Sequence, residues 1–414
     1  MNIFDAIARH DRSPCAHGES TFQFLNRVES QPFALVRDEL QRWLDLVPSD
    51  AQPDLRSRLR SHLERHFLAA FWELYLHEVF RRLGFDVVLH PTLASTQARP
   101  DFLMHGPEGS FYLEAKVLFA SDLASAGARH EETIRDTLDR VQTENFTLCL
   151  RVLSRGGSPL AVARHRRAIE RWLAALDPDD VHERLVDLGD DEEFGSGVAS
   201  DLRFDIVEAG WHLRLEAIPR VPEGRGEPGR AIGIFWPYDD DNPIDDVTPL
   251  RRALERKAGR YGTLDRPLVV AVLIDASFST DNDVEAALYG TRAISYTQRL
   301  RPTDRADARW VRLPDGLYRD AGGPRRRDVS AVLSAHGLQP SSLASSAFTG
   351  IVTWHHPWAH RPLTARLPFA SLDLEHSTGR LEAQPATVPV HALLGLPADW
   401  PGFPGIAALP LPDW

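Results

Sequence analysis

The chain has 414 residues, of which 43% are hydrophobic and 26% charged, an ordinary composition for a globular protein with enough length for two or three domains. Its formal net charge of −12 at pH 7 argues against a protein that coats nucleic acid without specificity, because such proteins are basic overall. The charge is uneven, however, since residues 292–327 contain ten arginines and only four aspartates.

No stretch of the sequence predicts a membrane segment. No apolar run reaches the length that crosses a bilayer, and the N-terminal residues lack the apolar centre of a signal peptide. Cys15 and Cys149 are the only cysteines, too few for a framework of disulfides. We therefore expect a cytoplasmic protein that does not associate with a membrane.

Residues 1–65 are predicted to be helical and to support the rest of the fold. Apolar side chains recur at helical spacing in residues 22–28, 33–47 and 55–63, with a break at residues 49–53. We find no candidate functional group in this segment.

Residues 66–120 begin with another predicted helix. Apolar side chains recur there at three- and four-residue steps, which is the pattern of a buried helix face, as in Trp72, Leu76, Val79 and Leu83. Gly84 ends the helix, because glycine readily adopts the left-handed conformation that follows a helix C-terminus. Glu73 and Glu78 both lie on this helix, about 140° apart in projection, so they cannot both face one site.

Three predicted strands follow the helix, at residues 85–90, 101–105 and 111–117. In the third strand, Glu114 and Lys116 are two residues apart and so project from the same face. If the second and third strands form a hairpin, Asp101 lies close to both of them. The pattern therefore predicts two carboxylates and a lysine at one place.

These three groups are the ones that metal-dependent hydrolysis of a phosphodiester bond needs. Carboxylates hold Mg²⁺, which activates a water, and an ammonium group stabilises the developing negative charge. Lysine usage supports this interpretation, because Lys116 and Lys257 are the only lysines among 47 basic side chains. Arginine would serve a surface charge equally well, whereas a compact amine suits catalysis. On the motif alone, a turn aspartate and a solvated Glu-x-Lys face are the alternative.

The spacing of these residues resembles that of the PD-(D/E)xK nuclease superfamily, which has a restriction-endonuclease-like fold. Pro100-Asp101 is followed, after twelve intervening residues, by Glu114-Ala115-Lys116. Glu73 lies eleven residues before Gly84, which is similar to the helix of the methyl-directed restriction and archaeal junction-resolvase branches. The resemblance covers residues 66–120.

The resemblance implies a Mg²⁺-dependent endonuclease that hydrolyses DNA, with Mn²⁺ as a substitute metal, in defence against foreign DNA. A homodimer is one form that such an enzyme takes. The catalytic residues it implies are Glu73, Asp101, Glu114 and Lys116. Asp101 and Glu114 would bind the metal directly, together with the main-chain carbonyl of Ala115, and Glu73 would bind it through a water. Two other functions stay open: a nuclease-fold binding or scaffold protein without catalysis, and an RNA-cleaving or structure-selective repair nuclease.

The choice of Glu73 over Glu78 follows from their neighbours on the helix. Glu73 shares its side with apolar residues, where a carboxylate needs a partner such as a metal-bound water. Glu78 shares its side with Arg81 and Arg82, where a surface ion pair is a sufficient explanation.

The rest of the chain alternates between helices and strands. Helices are predicted at residues 131–143, 159–176, 249–261 and 281–290, and strands at residues 146–153, 202–207, 211–218, 231–236, 267–274, 348–354 and 367–374, the last strand. Residues 239–246, which include five aspartates, are predicted as a solvated loop. Two continuations can complete the nuclease sheet: helix 131–143 with strand 146–153, or helix 249–261 with strand 267–274. In the second, residues 121–246 form an inserted subdomain.

Two further groups are candidates for substrate binding. Lys257 and Tyr261 lie four residues apart on a predicted helix, which resembles the Gln-x-x-x-Tyr motif in nuclease domains of recombination helicases. A lysine at the edge of the core is the alternative explanation for Lys257. Arg325, Arg326 and Arg327 lie in a predicted exposed loop of the basic segment.

The sequence thus predicts an α/β protein with a restriction-endonuclease-like mixed sheet flanked by helices. The predicted parts are an N-terminal helical segment (1–65), a nuclease core (66–120), a possible inserted subdomain (121–246) and an α/β continuation (247–414) that can complete the nuclease sheet.

Overall fold

The structure, a computed structural model, describes most of the chain. The described residues are 1–13, 15, 19–93, 96–119, 134, 137–138, 140–154, 156, 158, 160–187, 200–220, 222, 225–226, 231–236, 247–258, 261–262, 264–275, 280–295, 309–344, 350–374 and 380–402. The chain divides into two compact units, one made of Met1–Leu123 and Asp246–Trp414, the other of Ala124–Asp245.

The α-helices are α1 (Thr21–Arg27), α2 (Gln31–Leu46), α3 (Gln52–Leu59), α4 (Glu64–Arg82), α5 (Arg166–Ala174), α6 (Pro178–Asp187), α7 (Val247–Ala258), α8 (Asp281–Tyr289) and α9 (Val390–Leu394). The strands are β1 (Asp86–Leu89), β2 (Phe102–Gly106), β3 (Gly109–Phe119), β4 (Phe146–Ser154), β5 (Arg203–Glu208), β6 (Trp211–Pro219), β7 (Ile232–Trp236), β8 (Leu268–Asp275), β9 (Arg292–Ser295), β10 (Arg309–Arg312), β11 (Arg319–Asp320), β12 (Gly323–Pro324), β13 (Val329–His336), β14 (Val352–His355), β15 (Ala370–Leu374) and β16 (Leu381–Gln384).

The first unit is built around an eight-stranded mixed sheet in the order β1-β2-β3-β8-β13-β14-β15-β16. β1, β2 and β3 are antiparallel neighbours, whereas β3, β8 and β13 run parallel. Helices flank this sheet, and the prediction of an α/β fold with a mixed sheet is confirmed. The strand beside β3 is β8, so the sheet contains the second of the two continuations considered from the sequence.

Each face of the sheet packs against its own apolar cluster. The odd-numbered residues of β3 from Phe111 to Val117 lie in the cluster that contains the buried side of α4. Tyr112 and Leu118 lie in the other cluster, together with Leu250 of α7. Because side chains alternate along a strand, the even-numbered positions of β3 face the α7 side.

Two strands of this sheet differ from the sequence-based expectation. β13 is fully buried over most of its length but received no strand prediction, and β16 follows the strand that was expected to be the last. The N-terminal segment agrees with the prediction, since α1, α2 and α3 precede the long helix α4.

The second unit contains a four-stranded sheet in the order β5-β6-β4-β7. One of its faces packs against buried residues of α5 and α6, including Ile169 and Val181. The helix predicted at residues 159–176 is a short 3₁₀ turn followed by α5, and α6 was not predicted. Of the helix predicted at 131–143, the described residues 134, 137 and 138 are helical, whereas residues 140–143 are not. The loop predicted at 239–246 lies outside the described residues.

Among the described residues, no helix has both the length and the apolar character that crossing a bilayer requires.

Candidate active site

Asp101 and Glu114 face each other where the pairing of β2 with β3 ends. The last residue pair of that antiparallel ladder is Phe102 with Leu113, so the next residue on each side is one of the two acids. The Asp101 carboxylate turns toward β3, where its Oδ2 accepts a hydrogen bond of 2.7 Å from the main-chain N–H of Ala115. The hairpin that the sequence predicted therefore brings the two carboxylates together.

Glu114 is almost completely buried, with 1% of its surface exposed. A buried carboxylate requires hydrogen-bonding partners, because removing its charge from water costs several kcal/mol per ion. One partner is the phenol of Tyr261, which follows α7 and donates a short hydrogen bond to Oε2 of Glu114. Tyr261 is itself 2% exposed, so both ends of this bond lie in the core.

The same phenol also touches the segment that leads to Asp101. The Tyr261 oxygen lies 3.3 Å from the carbonyl oxygen of Arg99, two residues before Asp101. A hydroxyl has one proton, and the carboxylate of Glu114 is a stronger acceptor for it than a main-chain carbonyl. Tyr261 therefore lies between the two chain segments that carry the carboxylates and fixes the orientation of one of them.

Lys116 lies on the same face of β3 as Glu114, two residues further along the strand. It is paired in register with Val272 of β8, two positions beyond the pair formed by Glu114 and Val270, and its side chain is half-buried. The three residues of the motif thus occupy one side of the sheet, the side that α7 covers.

The main-chain carbonyl of Ala115 points toward the same place. Tyr112 directs its N–H to β8, donating to the Pro267 carbonyl at 2.8 Å, so alternate residues such as Ala115 direct theirs to β2. The C=O and N–H of one strand residue point to the same side, and Ala115 donates to Asp101. Its carbonyl therefore points to the Asp101 side, past the last pair of the β2–β3 ladder.

These groups form a donor set of two carboxylates and one main-chain carbonyl. Mg²⁺ prefers oxygen ligands and is commonly held by one or two carboxylates together with water and substrate phosphate. The residues present therefore fit the metal that the resemblance implies. Within the described residues, no group of three or more His, Cys, Asp or Glu side chains is gathered closely enough to hold a metal ion.

The structure does not bring Glu73 to this site, which corrects the sequence-based assignment. Its two carboxylate oxygens accept hydrogen bonds of 2.7 Å each from the guanidinium of Arg58 in α3. α4 packs on the opposite face of the sheet from Glu114, so the sheet itself lies between the two acids. The partner that the Glu73 carboxylate needs is an arginine of the preceding helix and not a metal-bound water.

Glu78 also differs from the expectation of a surface ion pair. It has the expected partners, with bonds of 2.8 Å from Arg81 and 2.7 Å from Arg82, but its side chain is fully buried. Burial by itself would raise the pKa of Glu78, yet the hydrogen bonds from these two arginines lower it below its ordinary value. Glu78 is thus a buried, ionised carboxylate that is paired with two partly exposed arginines.

The other candidates for substrate binding have the following positions. Lys257 lies on α7, and its side chain is outside the described residues. Arg325 forms ion pairs with Asp320 (3.2 Å) and with Glu255 of α7 (3.5 Å). Arg327 donates to the Trp358 carbonyl at 2.7 Å, and Arg326 has a positive φ of 46°. The loop of three arginines is therefore held by contacts within the protein, and its role in substrate binding stays a prediction.

A second polar group beside the carboxylates was missed in the sequence. Tyr112, on the same face of β3 as Glu114, donates to Oδ1 of Asp265 at 3.0 Å and accepts from Nη1 of Arg266 at 3.2 Å. Asp265 and Arg266 lie just before β8, far from Tyr112 in sequence. No pattern within one sequence joins these residues, because their contact depends on the parallel pairing of β3 with β8.

Comparisons with family models, with curated proteins and with solved structures find no match for this chain. Its resemblance to PD-(D/E)xK nucleases is carried by the motif residues of α4, β2 and β3, and the function that it implies is a proposal.

Proposed function

We propose that this protein is a Mg²⁺-dependent endonuclease that hydrolyses phosphodiester bonds in DNA. One observation carries the proposal: Asp101 and Glu114 face each other at the end of β2, and each carboxylate accepts a hydrogen bond from the protein. Neighbouring carboxylates repel each other unless a cation or a proton compensates their charge. A metal ion and the nearby Lys116 are cations that suit this arrangement.

The chain's own residues have separate tasks in this proposal. Asp101 and Glu114 hold the metal, and the bonds from Ala115 and Tyr261 keep their oxygens in place, as outer partners of metal ligands usually do. Lys116 supplies positive charge where negative charge develops on the phosphate oxygens. When bound, Mg²⁺ polarises the phosphate and makes a bound water more acidic.

The test is a cleavage assay with circular, linear, single-stranded and branched DNA and with RNA, each with Mg²⁺, with Mn²⁺ and with a chelator. We expect wild type to convert circular DNA to linear products only when metal is present. Asp101→Ala should be inactive, and Asp86→Ala, which removes an exposed carboxylate of the same sheet, should retain activity. Cleavage of RNA alone would change the substrate class, and binding without cleavage by wild type would favour a scaffold protein.

Metal binding is expected to require Asp101. Titration of Mn²⁺ into wild type in a calorimeter should give a binding signal that Asp101→Ala lacks, because the variant loses one of two carboxylate ligands. The same titration of Asp86→Ala should resemble wild type. Equal binding by wild type and Asp101→Ala would remove the metal assignment.

Tyr261→Phe is expected to weaken Mn²⁺ binding by about 10–100-fold, the usual effect of losing a hydrogen bond to a metal ligand. Excess metal should restore cleavage in this variant, because the ligands themselves remain. Tyr75→Phe is the matched control, since Tyr75 is a buried tyrosine whose hydroxyl has no hydrogen-bond partner among the described residues. If both variants bind Mn²⁺ like wild type, Tyr261 does not position Glu114.

A further inference from the structure

The group formed by Tyr112, Asp265 and Arg266 has a more specific geometry than a surface ion pair. Arg266 Nη1 lies 3.1 Å from Asp265 Oδ2 and donates to the Tyr112 hydroxyl at 3.2 Å, while that hydroxyl donates to Asp265 at 3.0 Å. Each of the three residues thus contacts the other two. The guanidinium is held in one orientation, with less rotational freedom than an exposed arginine usually has.

Tyr112 is the fixed member of this group. Its side chain is 4% exposed, and its hydroxyl forms hydrogen bonds with both Asp265 and Arg266. Arg266, by contrast, has a side chain that is 37% exposed, so its guanidinium can meet a ligand from solvent.

The group lies beside the carboxylate pair. Tyr112 precedes Glu114 by two residues on the same face of β3, a separation of about 6.6 Å along the strand. Arg266 comes just before β8, whose first residue, Leu268, is paired with Tyr112. A phosphodiester chain that passes over Asp101 and Glu114 is therefore within reach of the Arg266 guanidinium.

The remaining hydrogen-bond donors of Arg266 suit a phosphate. Nη1 makes the contacts with Tyr112 Oη and Asp265, the guanidinium carbon lies 5.9 Å from the centre of the Tyr112 ring, and Nε and Nη2 have no acceptor among the described residues. A guanidinium offers parallel N–H groups that match two oxygens of a phosphate. A positive group is also needed here, because two carboxylates and a net charge of −12 repel a polyanion.

We propose that Arg266 binds a backbone phosphate of the nucleic-acid strand, adjacent to the phosphate at the carboxylate pair, with Tyr112 and Asp265 holding its guanidinium. The inference rests on the proposed nuclease function and extends it to the positioning of the substrate. Phosphate contacts set the register of the strand and carry no sequence information. The effect of removing Arg266 should therefore be the same on every sequence.

The experiment measures how the binding of the full chain to two unrelated labelled DNA duplexes depends on salt, without metal, together with steady-state cleavage. For Arg266→Ala we expect the slope of log K against log salt to fall by about 0.9 on both duplexes, the value for one lost phosphate contact. KM should rise while kcat stays near that of wild type. Arg266→Lys should keep the slope but bind more weakly, and Tyr112→Phe should do the same, since each keeps the charge and loses its orientation.

Arg12→Ala is the matched control, because Arg12 is an exposed arginine paired with a carboxylate, Glu29, in the N-terminal segment. If Arg266→Ala has the salt slope and KM of wild type, the role proposed for Arg266 is wrong and the nuclease function is unaffected. The same conclusion follows if Arg12→Ala changes the slope and KM as much as Arg266→Ala does. If wild type binds DNA but does not cleave it, the nuclease function fails and the slopes still decide the role of Arg266. If wild type does not bind nucleic acid at all, both are wrong.

Discussion

Replacing Lys116 with arginine is expected to reduce cleavage by about 10²–10³-fold, the usual cost of losing one group that stabilises developing charge. The positive charge is retained, but a planar fork replaces a compact ammonium that fits on the half-buried face of β3. Mn²⁺ binding and DNA binding should stay close to those of wild type, because Asp101, Glu114 and the total charge do not change. Single-turnover cleavage at saturating metal measures the chemical step directly.

The exchange of lysine and arginine needs its own control, since this chain uses arginine at almost every basic position. Arg12→Lys makes the reverse exchange at an exposed ion pair and should leave cleavage unchanged. A Lys116→Arg variant as active as wild type would mean that the rarity of lysine at this position is a coincidence. A variant that loses Mn²⁺ binding as well would instead assign Lys116 to the integrity of the carboxylate pair.

Local patterns in the sequence were sufficient to predict β3, which carries Glu114 and Lys116, and the elements that pack beside it, α4 and β8. The apolar spacing in α4, the alternation in β3 and the unbroken apolar run of β8 each depend on neighbours within a few residues. The expected approach of Asp101 to Glu114 depended on a hairpin of β2 and β3, and the structure contains this hairpin. These features are local, so a single sequence contains enough information to predict them.

β13 shows why other elements were missed. Its serines interrupt the apolar run, yet both are buried and satisfied by distant partners. Ser330 Oγ donates to the carbonyl of Arg361 and accepts from the N–H of Leu268, and Ser334 Oγ accepts from the indole of Trp354. In a single sequence, a serine suggests a surface or turn position, because the distant strands that supply its hydrogen-bond partners are not known.

The Glu73 assignment failed for a related reason. The helical angle between Glu73 and Glu78 was enough to predict that they have different environments, and they do. Both carboxylates are paired with arginines, and the partner of Glu73 depends on where α3 lies against α4. The side chain of Arg58, fifteen residues away, decides this, and helical periodicity contains no information about it.

Glu78→Gln is therefore expected to destabilise the protein. From the sequence alone, Glu78 was assigned to a surface ion pair and Glu73 to catalysis. At pH 7 we expect a loss of about 3 kcal/mol in the free energy of unfolding, the low end for breaking a buried ion pair, because Arg81 and Arg82 can still reach water. Glu73→Gln, the matched control, breaks a bidentate pair with Arg58 in which both side chains keep some exposure, and it should cost less than Glu78→Gln while leaving turnover intact. The pKa of Glu78 is lower in the folded protein than in the unfolded chain, where it is about 4.3. The stabilising contribution of Glu78 is therefore complete at pH values above the unfolded pKa and is lost as the pH falls through the folded pKa. The difference between wild type and Glu78→Gln should thus shrink on acidification, and hydrogen exchange of the α4 amides, measured at several pH values, reports it locally. A difference that is small at pH 7, or that grows as the pH falls, would show that the ion pairs of Glu78 with Arg81 and Arg82 do not stabilise this helix.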